Sequence, residues 1–477
     1  MTEPTAADQP RSIFAPEVRA TSVGLLILIT LIAFESMAVS AALPTAARDL
    51  HGLGSYGWAF TGFLIASVVG MVAAGEQTDR RGPAAPLTAG LIAFVAGLLL
   101  AGSATTMVQL IAGRVVQGLG GGLMITAAYV VIGEAFADSL RPKLFAAISS
   151  AWVLPSLLGP VISGLLSQHA SWRWVFLGLV PFSVAGGLLL LPELRAMARR
   201  SAQAGMAAAP RRSGRLGHAV AVALGIAALE YTAQHPSLLL VALAVAGIAL
   251  MVWGLRPLLP PGTVRVAPGV SAPIALRGLL AGSLFGVEAL VPLSLTVQHG
   301  YSATAAGLPL TASGVTWAFG SWWQGRAVEH DGTRRRVVLI RTGFGCIAFA
   351  AAAMTVVALQ ATPGWLAYPA WTVAGLGAGL AMASLGVLLL RFTTDETRGS
   401  DSAALQLSDA TAGALTTGLA GMVVAAAARG TISHTTAFIT QDLVMCVVAG
   451  LGVMLAARAR PRVAAEHAAP AIDRLRA

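Results

Sequence analysis

Apolar segments long enough to cross a bilayer as helices, about 20 residues each, recur along this 477-residue chain from residue 20 to residue 456. In hydrocarbon a backbone must satisfy its own N–H and C=O groups, so segments of this length fold as helices. Fourteen are legible: 20–44, 55–76, 84–103, 106–136, 144–167, 174–191, 216–233, 237–255, 270–297, 304–326, 336–358, 363–391, 402–428 and 434–456. With 56% hydrophobic and 11% charged residues, the chain carries more apolar surface than a soluble domain hides. The fold class is therefore an all-α polytopic membrane protein.

The formal charge of +10 sorts by loop. If the N-terminus is cytoplasmic, 25 of the 31 Lys and Arg residues fall in cytoplasmic segments. Three fall in outer loops (Arg48, Arg173, Arg429) and three within helices (Arg114, Arg277, Arg341). Positive charge retained on the inner side sets orientation, which predicts both termini inside and an even number of crossings. The basic balance thus reflects topology and anionic lipid, and no nucleic-acid partner is expected. Cys346 and Cys446 lie in apolar segments without metal-ligand spacing and read as small packed hydrophobes. Ala38-Val39-Ser40-Ala41 is similar to a signal-peptidase site, but the long first segment reads as an uncleaved helix.

Two charged stretches echo each other: Gly75-Glu76-Gln77-Thr78-Asp79-Arg80-Arg81-Gly82 and Gly325-Arg326-Ala327-Val328-Glu329-His330-Asp331-Gly332. Each reads as a tight link between two membrane helices, and they stand 250 residues apart (75 to 325). A duplicated helical bundle is a transporter plan. The spacing divides the chain into a polar tail 1–19, a first bundle 20–191, a linker 192–215, two inserted helices with their loop 216–269, a second bundle 270–456 and a tail 457–477.

Four motifs stand in order. The first loop carries Gly75, Asp79, Arg80 and Gly82. Helix 4 carries Arg114-Val115-Val116-Gln117-Gly118-Leu119-Gly120-Gly121-Gly122. Helix 5 carries Gly159-Pro160-Val161-Ile162-Ser163-Gly164, and helix 1 runs from Glu35 to Ala42-Leu43-Pro44. Over residues 20–456 this set resembles the major facilitator superfamily, specifically its fourteen-helix drug:proton antiporters. Pro83 and Ala84 replace that family's basic pair, Pro155 replaces a glycine, and Glu35 replaces the usual Asp. The resemblance implies two six-helix bundles plus two inserted helices, proton coupling through Arg114, and export through a kinked helix 5 (Gly159, Pro160, Gly164) at the interface of the halves.

Charges deep in membrane helices are costly and commonly functional. Glu35 in helix 1 and Glu288 in helix 9, related by nearly the repeat spacing, are expected to face a central cavity. There they would take a proton from outside and release it inside, or hold a cationic substrate; a structural acid paired with an Arg or Ser is the alternative. Arg114 needs a buried partner, whether for coupling or as a structural ion pair. Asp409 reads as a release-side proton group or an interfacial acid, Glu230 as interfacial and Arg277 as snorkelling. Asp79, with Arg80, Arg141, Glu134 and the second-half Glu329, is expected to form a cytoplasmic latch that breaks as the halves rock; a solvated turn capped by Asp79 is the alternative. Phe34, Met37, Met124, Trp152, Phe285 and Trp317 are candidates to line an apolar cavity, and Trp172-Arg173-Trp174 to anchor at the outer interface.

No Gly-x-x-x-x-Gly-Lys-[Ser/Thr] loop, metal cluster or nucleophile elbow stands out, so neither an enzyme nor a cofactor is expected. The leading reading is a monomeric, proton-coupled exporter of lipophilic, often cationic compounds. An exporter of an endogenous metabolite or lipid, and a non-transporting sensor or scaffold, are the alternatives. Thirty arginines beside the single Lys143 fit a GC-rich bacterial genome, hence a bacterial cytoplasmic membrane.

Overall fold

The computed structural model describes residues 12–136, 140, 144, 147, 151, 153–203, 214–234, 240–327, 332–393 and 398–460. They include sixteen helices: α1 Arg19–Asp49, α2 Tyr56–Arg81, α3 Ala84–Gly102, α4 Met107–Ala135, α5 Val153–His169, the short α6 Arg173–Leu177, α7 Val180–Gln203, α8 Arg215–Gln234, α9 Val241–Leu255, α10 Ser271–Glu288, α11 Val291–Gln298, α12 Ala303–Ala327, α13 Gly332–Val357, α14 Ala367–Phe392, α15 Arg398–Ala428 and α16 His434–Leu455. Among the described residues no strand is formed. Ten helical spans there are long and apolar enough to cross a membrane. The predicted segments 144–167, 216–233, 237–255 and 304–326 are helical where described but fall short of that mark.

Three expectations change. The Gly75–Gly82 stretch is helix almost to its end: α2 runs through Arg81, and only Gly82 and Pro83 link it to α3. Glu76 and Arg80, one turn apart at 3.6 Å, support that last turn. The predicted helix 270–297 is broken into α10 and α11, because Pro292 has no N–H for the Glu288 carbonyl. The linker 192–215 starts as helix, since α7 continues to Gln203; residues 204–213 lie outside the described set.

Glycine decides how the helices pack. A methyl group added to Gly118 or Gly122 of α4 would collide with the Phe63 or Ser67 carbonyl of α2. One added to Gly120 would lie 2.6 Å from the Gly90 carbonyl of α3. In α14, Gly375 and Gly379 meet the Ser313 and Trp317 carbonyls of α12 in the same way, and Gly377 meets Gly343 of α13 at 2.6 Å. The glycine triplets are offset by 257 positions (118 to 375, 120 to 377, 122 to 379) and their carbonyl partners by 250 (63 to 313, 67 to 317). The same small-residue helix contact is thus built twice.

The inserted pair packs as a hairpin, α8 against α9, with α8 lying on both α2 and α15. The Arg-rich links mark a basic face of the bundle; the opposite end is called the far face below. On the basic face Glu76 Oε1 accepts the Leu216 N–H at 3.0 Å, satisfying a donor at the start of α8. On the far face Trp172 is buried and donates to Asp49 at 2.9 Å, while Arg173 reaches Asp49 at 3.3 Å and the Ala104 carbonyl at 2.9 Å. Only Trp174 of that trio presents an exposed ring; the other two tie loops together.

Candidate functional site

Glu35 lies midway along α1, a helix on which Leu31, Ile32 and Val39 are buried as well, and is itself fully buried. Arg114, two turns into α4, meets it in a direct ion pair. The guanidinium is held from three further sides. Its Nε donates to the Ala59 carbonyl of α2 at 3.0 Å, Nη1 reaches Gln117 Oε1 at 3.4 Å, and the Phe63 ring lies 4.3 Å beneath it. One carboxylate oxygen, Glu35 Oε2, has no partner among the described residues, nor does Gln117 Nε2. The partner expected for Arg114 is therefore Glu35 itself, within a cluster that closes α1, α2 and α4 on one another.

The second half holds its own pair. Arg277 Nε donates to both carboxylate oxygens of Asp409 at 2.8 Å, and its Nη1 reaches the Met382 carbonyl at 3.1 Å. Arg277 does not snorkel: the pair ties α10 to α15 and α14, with both side chains mostly buried. Among the described residues each half therefore carries one buried carboxylate–guanidinium pair, but on different helices. In α14, Trp371 stands at the position related to Arg114 by the glycine offset, and it is buried.

Glu288 ends α10 at the break, with 8% of its surface exposed, and no ion pair reaches it among the described residues. One freed carbonyl of the break, Ala289 O, accepts the Tyr56 hydroxyl of α2 at 2.9 Å. A broken helix with an acid at its end, fastened to the other half, is a transporter-like arrangement. Asp442 of α16, also buried, is an acid that the sequence reading passed over. Its signal was one carboxylate inside the apolar segment 434–456.

Around the helix-5 motif, α5 runs through Pro160 and crosses both α1 and α12. Ser163 donates to the Ala38 carbonyl at 2.5 Å. A methyl on Gly164 would lie 2.6 Å from Thr304 Cα, and one on Gly159 3.3 Å from Met37 Cβ. Thr304 donates to Gln168 Oε1 at 2.9 Å. These contacts set the motif between α1 and α12, on the far-face side. The cavity candidates divide: Phe34, Met37, Phe285 and Trp317 are partly open, Met124 is buried against Gly90, and Trp152 lies outside the described residues.

On the basic face, Arg80 pairs with Glu76, and Glu134 is exposed at the end of α4. The Asp79 side chain, Arg141 and Glu329 lie outside what is described. Gly82 adopts φ 76° and ψ 172°, a region almost confined to glycine, whereas a methyl on Gly75 or Gly325 meets nothing within 4 Å. Gly82→Ala should accordingly lower stability by about 1–3 kcal/mol, read as a fall in thermal midpoint. Gly75→Ala should not lower it, and equal midpoints for the two variants would refute the assignment.

Comparisons with known proteins agree with this geometry. The Major Facilitator Superfamily profile matches residues 25–417. The chain is 28% identical over 437 residues to the probable multidrug-efflux transporter Rv1634 of Mycobacterium tuberculosis (strain H37Rv), covering 87% of this chain and 89% of that protein. It is 31% identical over 171 residues to the multidrug efflux pump SdrM of Staphylococcus aureus (strain N315), and 33% identical over 172 residues to the multidrug transporter protein MdtP of Bacillus subtilis (strain 168). Those matches cover 36% of this chain in each case, and 38% and 32% of the relatives' own lengths. The fold resembles the crystal structure of a D-xylose-proton symporter (TM-score 0.62, 16% identity, 92% of this chain and 96% of that one). It also resembles a POT family transporter in complex with 5-aminolevulinic acid (TM-score 0.66, 13% identity, 92% and 96%). With paired buried charges, a broken helix and two glycine-packed halves already in place, the profile match over most of its length means that this chain belongs to the Major Facilitator Superfamily.

Proposed function

We propose that the protein is a proton-coupled antiporter that exports lipophilic, often cationic compounds by alternating access. The observation that carries this reading is the Glu35–Arg114 pair: a carboxylate 0% exposed, bound to a guanidinium, with one oxygen still unpartnered. Such a group exchanges a proton only when the helices around it separate and water enters, which is what coupling a proton to a conformational change requires. Names of relatives that denote multidrug efflux support export of toxic compounds. Neither the metabolite-exporter nor the sensor alternative is favoured by them.

The halves are α1–α7 and α10–α16, with α8 and α9 inserted, and fourteen crossings result if α6 with α7 and α10 with α11 each make one. The positive-inside rule puts the basic face in the cytoplasm of a bacterial cell and the far face outside. Outside contacts hold the halves together: Tyr56 to Ala289, Thr61 to Thr417 at 3.4 Å and Thr304 to Gln168. Transport needs this seam to part, while the basic-face cluster around Gly75, Asp79, Arg80 and Gly82, with Glu134, Arg141 and Glu329, closes as its counterpart.

Glu35 and Asp409 each already hold a guanidinium, so a cationic substrate would have to displace an arginine at either. Glu288 carries no such partner among the described residues and sits at the α10 break, which makes it the better seat for the substrate's positive charge. Reconstituted protein should extrude ethidium from vesicles under an imposed pH gradient and stop when the gradient is collapsed. Gradient-independent efflux would refute antiport. Glu288→Gln should raise the ethidium KM about tenfold, the scale of a charge–charge contact of 1.4 kcal/mol, and leave transport of a neutral substrate near wild type. An unchanged ethidium KM would remove Glu288 from substrate binding.

A further inference from the structure

The inserted helix α8 delivers an acid into the line of contact between the halves. Gly57 of α2 and Gly421 of α15 approach so closely that neither has room for a side chain. Glu230, a turn from the end of α8, fills the space beside them. A methyl on Gly57 would lie 3.0 Å from Glu230 Oε1, one on Gly421 3.3 Å from the same oxygen, and one on Gly418 3.6 Å from Oε2. Glu230 is 4% exposed, and its Oε2 has no hydrogen-bond partner among the described residues. It is thus no interfacial acid facing lipid headgroups, as its place on an inserted helix led the sequence reading to expect.

Its surroundings supply amides and hydroxyls but no cation. Gln234 Nε2 donates to Oε1 at 3.2 Å, and the Gln234 side-chain oxygen accepts the Trp58 indole N–H at 2.9 Å. Beyond them, Thr61 and Thr417 face one another across the seam. The titratable and charged groups nearest on the packed elements are Tyr56 of α2, whose hydroxyl is given to Ala289, and Arg429 just past α15, whose guanidinium is bonded to the Gln234 carbonyl. Helix α9 contributes none. No ion pair to Glu230 forms among the described residues. A bare carboxylate held in this place would be an uncompensated buried charge, which is strongly unfavourable.

We propose that Glu230 is a proton-binding site contributed by the inserted helix pair, occupied while the far-face seam is closed and emptied as the seam opens. With the seam shut, the neutral carboxyl accepts from Gln234 at Oε1, the oxygen beside the Gly57–Gly421 contact, and carries its proton on Oε2, beside Gly418. As α2 and α15 part, water reaches the group, the O–H bond breaks and the proton leaves to solvent, so proton binding and seam closure favour one another. This rests on the antiport reading only for its place in a cycle: a proton taken from the acidic outside would close the outer seam and drive the return inward. It also gives the inserted helices a task, since α8 packs on both halves and sets this acid between them.

The test measures the seam directly. In full-length protein in nanodiscs, with Cys346→Ser and Cys446→Ser, spin labels at Gly54→Cys and Thr431→Cys report the far-face distance between α2 and α15 from about pH 5 to about pH 9, a range spanning ordinary and buried carboxyls. The closed-seam distance should dominate at low pH and lose population as pH rises. Glu230→Gln should stay closed throughout, and Glu230→Asp should keep a pH response with a displaced midpoint. A wild-type distance indifferent to pH, or a Glu230→Gln protein that responds like wild type, would overturn the proposal. Should Glu230→Gln fail to fold, an Asp variant whose midpoint equals the wild-type value would overturn it alone. Ethidium efflux in the same preparation separates the two readings: a pH-responsive seam without gradient-driven efflux refutes antiport and leaves the proton site standing, and the reverse refutes the site only.

Discussion

Glu35→Gln is expected to abolish gradient-driven efflux and to destabilise the protein, whereas Glu35→Gln combined with Arg114→Gln should restore stability without restoring transport. The first change strands Arg114, a permanent cation 3% exposed, with a carbonyl, an amide and the Phe63 ring as its remaining partners. Removing one member of a buried pair costs about 3–5 kcal/mol, because the other charge is left uncompensated. Replacing both members by amides removes that penalty, and buried ion pairs exchanged for neutral groups are often no less stable. The coupling energy between the two sites should therefore be large and favourable in a double-mutant cycle, read as thermal midpoints in detergent.

Transport separates the two roles of the pair. A purely structural ion pair would let the restored double variant pump. A coupling group would leave it inactive, with gradient-driven efflux down about tenfold or more, equivalent to at least 1.4 kcal/mol of lost coupling. Retained efflux in either variant would remove Glu35 from proton coupling. A single variant as stable as wild type would show that the pair contributes nothing to the fold.

The membrane class and the duplication were legible because each leaves a one-dimensional trace: apolar runs of bilayer length, and charged links at a fixed spacing. Charges inside such runs were equally visible, which is why Glu35, Arg114, Glu288 and Asp409 stood out. Their pairing was not. Arg114 meets a carboxylate 79 positions away and Arg277 one 132 away, so the partners follow from which helices pack together. Pro292 was in plain view, but an unbroken apolar run outweighed it until the α10–α11 break appeared. Glu230 was misjudged for a related reason: an inserted helix read as peripheral from its place in the chain lies against both α2 and α15. The reading of Gly75 to Gly82 as a link erred by one helical turn, since an i,i+4 ion pair extends α2 through residues that look loop-like when charge alone is considered.

The packing glycines give the second large effect, and it is expected to be equal in the two halves. Gly118→Val and Gly375→Val would each push a branched side chain into a main-chain carbonyl, Phe63 in the first half and Ser313 in the second. Overpacking commonly costs about 1–3 kcal/mol when side chains can yield. Here the obstacle is backbone in a neighbouring helix, so α4 must leave α2, and α14 must leave α12, with loss of the contacts along their whole length. Both variants should give little monodisperse protein, whereas Gly75→Ala and Gly325→Ala, which meet nothing within 4 Å, should purify like wild type and gain the stability that Ala holds over Gly in a helix. Size-exclusion profiles and thermal midpoints of the four variants decide it. If Gly375→Val behaved like wild type while Gly118→Val collapsed, the two contacts would be alike in geometry but unequal in energy, and only the first half would depend on its glycine seam for assembly.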